Sequence, residues 1–207
     1  LNVPRRHPLC ESFRRISRKQ KHPARGVFDV VINYPYMYEA TIPVFTRSLT
    51  NLVKIMEKAE RHAKKRSQNP SAILKKRLYA DMFNFTKQVQ YSYFMALDVA
   101  GNLSGVPAPK YAYDEKSIAE LKKSLKQVIK YLKSIKADDV KKYERKLMKT
   151  RIPVFFDVKQ TLAPRDYVHN FALPNFFFHY VTAYDILRHY GVPIGKKDYL
   201  GPLTLPS

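Results

Sequence analysis

The sequence predicts an all-α protein: a four-helix bundle with a short β-hairpin before the last helix. Three observations carry this. Apolar residues recur three and four positions apart in four long stretches, proline and glycine punctuate the gaps, and one brief segment alternates instead. A chain of 207 residues, 45% hydrophobic, is large enough to bury one core.

The first helix is marked by Ile42, Phe45, Leu49, Leu52, Val53, Met56, Ala59 and Ala63, a single apolar stripe. Thr41 is expected to cap it, with Pro43 tolerated in the first turn. The cations from Arg61 to Arg66 suit its C-terminal dipole. Asn69-Pro70 then restarts the chain as a cap followed by proline.

A second helix is expected over about residues 83–103, with Phe85, Val89, Ala96, Val99, Ala100 and Leu103 facing inward. Gly105 and Pro107 end it. Asp81 stands before it, placed to cap it or to pair with Arg77. The third helix, about 116–135, carries Ile118, Leu121, Leu125, Val128, Ile129 and Leu132 inward and lysines elsewhere.

Residues 149–162 read differently. Ile152, Val154, Phe156 and Val158 alternate, and Pro153 limits the run to an edge hairpin. The fourth helix follows over about 165–190, with a kink expected at Pro174 and Gly191 as its cap. Its run Phe176-Phe177-Phe178 covers nearly the whole circumference, so this helix is either central or faces a partner. Phe176, Phe178, Tyr180 and Leu187 are expected among the most buried side chains, and a homodimer through this helix is the second reading.

Three blocks in order carry a family resemblance: YEATIPVFTRSLTNLVKIMEKAERHA at 38–63, RLYADMFNFTKQVQ at 77–90 and LPNFFFHYVTAYDILRHYGVPIGKKDYLG at 173–201. Together they resemble an uncharacterised domain-of-unknown-function family related to the DinB/YfiT-like four-helix bundles. The resemblance implies the fold and runs over most of the chain, and it implies no particular reaction. It also implies a glycine-containing hairpin turn, which this sequence lacks.

DinB-like bundles often hold a divalent metal on three histidines, one from the second helix and two spaced i, i+4 on the last. Here the second helix has no histidine, and Ala183 stands four residues after His179. His169, His179 and His189 step about 80° round the helix each time and do not converge. No metal site and no cofactor is therefore expected, although an atypical site joining His179 to Asp81 or Gln88 is conceivable. His179 reads as a core histidine satisfied by a hydrogen bond, or as the polar floor of a ligand pocket with Asn175, Gln88, Tyr184 and Asp81 around it.

Charge is the other unusual feature. Lys and Arg number 38 against 17 Asp and Glu, a formal +21. Such a surface attracts nucleic acid or another polyanion, or serves solubility alone. Lys122, Lys126, Lys130 and Lys133 fall on one helix face, and Arg14, Arg15 and Arg18 lie in a basic N-terminal extension. The tyrosines among these lysines (Tyr111, Tyr113, Tyr131, Tyr143) could stack on bases, or sit half-buried with their hydroxyls at the surface.

Residues 1–33 are rich in Arg, Lys and Pro, and are expected to be a loosely ordered extension to a domain at 34–207. They read as an organellar leader remnant, a polyanion-binding arm or an extension with no role. The lone Cys10 excludes an internal disulfide, and no stretch approaches a membrane span. The default location is cytoplasmic, or organellar if the arm is a leader. The leading functional reading is a ligand-binding or accessory bundle, the alternative a structural protein binding nucleic acid or a ribonucleoprotein. A metal-dependent enzyme with an atypical site stands third.

Overall fold

The computed structural model describes residues 36–143, 146–152 and 156–202. The helices in chain order are α1 (Tyr36–Lys65), α2 (Phe85–Ser104), α3 (Ile118–Ser134) and α4 (Ala137–Tyr143). A 3₁₀ turn, Pro70–Lys75, lies between α1 and α2. Strands β1 (Met148–Ile152) and β2 (Phe156–Leu162) follow, then α5 (Pro164–Tyr167), α6 (Leu173–His189) and α7 (Lys196–Leu200).

α1 begins earlier than the sequence suggests. Thr41 is no cap: it lies inside the helix, fully buried, and its hydroxyl donates to the Met37 carbonyl. Pro43 is likewise interior rather than in the first turn. Met37, Thr41 and Phe45 are spaced by four and all buried, so the buried face extends backward past the proline. That extra contact outweighs the one backbone hydrogen bond that proline cannot donate.

α2 is capped by Asn84, whose side chain accepts from the Lys87 amide at 3.0 Å. Asp81, the expected cap, lies three residues too early and is exposed. Arg77 donates to the Ala80 carbonyl, not to Asp81. At the far end Gly105 adopts φ +68°, where a Cβ would fall 2.3 Å from the Tyr143 ring. The left-handed conformation calls for glycine there, and a larger residue would also have to displace the Tyr143 ring.

β1 and β2 pair antiparallel, Met148 opposite Leu162, with a register shift between Arg151 and Ile152. The turn that joins them, residues 153–155, lies outside the described residues, as do residues 1–35.

The last helical passage continues from α5 to α6 through a π-helical segment, Val168–Ala172, in which the Leu173 amide bonds the Val168 carbonyl. The cause is Pro174. It has no N–H for the carbonyl four residues back and its ring crowds that carbonyl, so the wider π winding relieves both. The passage ends in a Schellman cap: Gly191 takes φ +86° and the Val192 amide reaches the Leu187 carbonyl at 3.0 Å.

The core lies where α1, α2, α3 and α6 meet, which makes this a four-helix bundle. Phe45 of α1 and Phe176 of α6 pack with ring centroids 4.6 Å apart at its centre. α7, too short for any periodic signal, closes one side. Lys58 pairs with Asp198, while the Asn51 amide and the Tyr180 hydroxyl both donate to the Tyr199 carbonyl. No helix among the described residues is long and apolar enough to cross a membrane.

Candidate functional site

α2 packs against α6, which brings Gln88 against His179. His179 is only 6% exposed and Gln88 is fully buried. The Gln88 amide nitrogen donates to the Phe83 carbonyl at 3.3 Å, which turns its oxygen toward His179. His179 Nδ1 lies 2.7 Å from that oxygen and so carries the proton it donates. Burial lowers the imidazole pKa to about 4, which leaves the ring neutral near pH 7.

His179 Nε2 is then a free acceptor. It takes no hydrogen bond among the described residues, yet it is not sealed inside the protein, where Gln90 Oε1 is the side-chain atom left unpartnered. Exposed aromatic rings form a collar beside the imidazole. Tyr91 lies 5.0 Å and Phe178 5.2 Å from the imidazole, centroid to centroid. Phe83 stacks on Tyr91 at 4.9 Å, and Phe94 meets Tyr91 edge-on at 6.2 Å. Phe178, expected in the core, is 55% exposed. Phe176 and Tyr180 on the same helix use up the buried arc against α1 and α7, and Phe178 is left on the collar side.

The other residues grouped with His179 in the sequence do not all join it. Asn175, one turn earlier, is half-buried. Tyr184, five residues on and about 140° round the helix, packs on Tyr199 of α7 at 5.8 Å. Asp81 is exposed and outside the cluster. Missed by sequence reasoning were Phe83, Tyr91 and Phe94. Tyr91 and Phe94 lie off the apolar stripe of α2, and Phe83 precedes its cap, so each is marked in sequence only as an aromatic outside the buried face.

The donor set does not fit a transition metal. One imidazole faces one amide oxygen, and the next helical turn offers only buried Ala183. Among the described residues no three His, Cys, Asp or Glu side chains are grouped closely enough to share an ion.

Residues 37–200 match the family described as "domain of unknown function (DUF1993)". The chain belongs to this DUF1993 family. A crystal structure of a DinB family member from Shewanella denitrificans is similar at 34% identity and a TM-score of 0.74, over 83% of this chain and 95% of that one. The DUF1993 fold here is therefore DinB-like, as the sequence resemblance implies. No curated protein matches the chain.

The lysine face of α3 is less uniform than its spacing suggests. Lys126, Lys130 and Lys133 are exposed, but Lys122 is paired with Glu60 of α1 and half-buried. Beside this face an open groove of about 690 Å³ runs along α3, lined by Tyr111, Tyr113, Tyr131, Lys123 and Lys130, together with Asp114, Glu115 and Glu120. Its tyrosines are half-buried and in use. Tyr113 stacks on Tyr93 at 5.4 Å, and the Tyr131 hydroxyl donates to the Val106 carbonyl at 2.8 Å. Glu115 accepts from Gln90 at 2.7 Å and Tyr93 at 2.8 Å. Burial alone would raise its pKa, but hydrogen bonds from Ser124, Gln90 and Tyr93 prevail and lower it. This cluster pins the segment between α2 and α3 to both helices. Arg14, Arg15 and Arg18 lie outside the described residues.

Proposed function

We propose that this DUF1993 protein is a ligand-binding or accessory bundle that recognises its partner through the collar around His179. The observation that carries the reading is the neutral His179 imidazole, oriented by buried Gln88, with its Nε2 taking no hydrogen bond among the described residues and exposed Phe83, Tyr91 and Phe178 beside the ring. Exposed aromatic rings grouped around one fixed acceptor suit an aromatic or apolar group that carries a single hydrogen-bond donor. A metal-dependent reaction is not supported by this donor set. The test uses indole and benzofuran, which share a shape but differ in the N–H. Indole should shift the side-chain NMR signals of Phe178, Tyr91 and His179, and benzofuran should bind more weakly. Equal binding of the two, or shifts confined to other residues, would remove the acceptor role of His179.

A second use of the same collar is a homodimer through α6, favoured by the exposed Phe178. Sedimentation of wild type and Phe178→Ala at several concentrations distinguishes it, since only a dimer loses mass on this change. A polyanion-binding role rests on the exposed Lys126, Lys130 and Lys133. Titration of labelled RNA at two ionic strengths tests it. Affinity that is absent at low salt, or indifferent to salt, would leave the charge as a solubility feature.

A further inference from the structure

A second cavity, on a different face, has no part in that reading. It lies at the end of the bundle where the last turns of α1, the 3₁₀ turn Pro70–Lys75 and the cap of α6 meet, and it measures about 460 Å³. That is within the size range of small-molecule sites. Small side chains leave the space open: Ala59 is buried and Ala63 half-buried in its wall, while exposed Ala72 stands at its edge. Ile73, Val192 and the Tyr190 ring complete an apolar interior.

The rim has the opposite character. Its charged or titratable members, apart from the tyrosine, are Lys76 and His62, while Gln68 and Asn69 add amide donors, and no carboxylate lines the cavity. The Lys76 ammonium stands 5.1 Å over the Tyr190 ring centroid, which holds it at the mouth. It forms no ion pair among the described residues. An apolar interior beneath a cation that makes no ion pair among the described residues complements one chemical class.

We infer that this cavity binds a small amphiphilic monoanion, its hydrocarbon body against Ala59, Ala63 and Ile73 and its carboxylate at Lys76. The alanines set the room for the chain, and Lys76 sets the sign of the head group. His62 and the two amides supply further donors to the same oxygens.

The experiment titrates the full chain with octanoate, octylamine and acetate, following backbone amides by NMR. Octanoate should shift the amides of Ala59, Ala63, Ala72 and Val192 saturably, while octylamine and acetate should not. Lys76→Gln should weaken octanoate roughly tenfold. Ala63→Leu, at a half-buried position, should abolish binding by filling the cavity, and Ala72→Leu, at its exposed edge, provides the same test from the opening. Absence of saturable octanoate shifts would overturn the inference. So would octylamine binding as well as octanoate, or octanoate binding that survives both leucine variants in folded protein.

Discussion

Replacing His179 with asparagine gives a direct measure of how firmly the bundle holds this imidazole neutral. Asparagine presents an N–H close to the position of Nδ1, so the bond to Gln88 is retained while the titrating ring is lost. In the folded protein burial lowers the His179 pKa from 6.5 to about 4. The unfolded chain therefore takes up the proton below 6.5, and the folded chain only below about 4. Between these values the unfolded state binds more protons, so stability falls as the pH falls. The full difference corresponds to roughly 3 kcal/mol. Urea unfolding of both proteins from pH 7.5 to 4 should give a gap in unfolding free energy that is constant above about 6.5. Below that it should shrink by roughly 3 kcal/mol to the wild type's disadvantage. Other shifted carboxyls, such as Glu115 and Asp98, titrate in both proteins and cancel in the difference. A gap independent of pH, or an NMR titration of His179 near 6.5, would refute the buried, neutral assignment.

Other consequences are simpler. Asn84→Ala should cost about 1 kcal/mol in urea unfolding, because it removes the α2 cap, while Asp81→Ala should stay within about 0.5 kcal/mol. Gly105→Ala forces a side chain into the left-handed region and against Tyr143. It should lower stability by about 2 kcal/mol or more, seen as a drop in Tm by calorimetry. Phe176→Ala should cost about 3–5 kcal/mol, as expected for an aromatic deleted from a closed core. Phe178→Ala should leave the unfolding midpoint nearly unchanged, since the ring is already largely in water.

Much of the fold was legible because helical burial writes itself into spacing. Phe45, Leu49 and Leu52 of α1, like Leu121, Leu125 and Val128 of α3, need only one buried side, and periodicity reports that side directly. α6 defeats the same method. Aromatics all round it erase the contrast between faces, so packing against α1 and α7, not spacing, decides that Phe176 turns in and Phe178 out. Pro43 misled through a sound local rule. A proline prefers the first turn, but buried Met37 and Thr41 extend the helix past it. α4 and α7 are too short to show a period at all.

The site was legible in part. Gln88 is a polar residue beside Phe85 and Val89 on a buried face, a placement that asks for a partner. That the partner is His179, 91 residues away, is a product of how α2 lies on α6. Tyr184 was grouped with His179 by proximity along the chain, and helical geometry separates them. The collar residues Phe83, Tyr91 and Phe94 looked ordinary in sequence because single exposed aromatics are common. Their grouping around one imidazole is visible only in three dimensions.

The most direct test is the ring nitrogen chemistry of His179 itself, read from long-range proton–nitrogen NMR correlations at pH 7 before and after one equivalent of zinc. A neutral ring protonated on Nδ1, unmoved by zinc, is the result that follows from a bundle whose histidine is held by Gln88. A ring protonated on Nε2, or one whose nitrogens shift stoichiometrically with zinc and return on chelation, would contradict it.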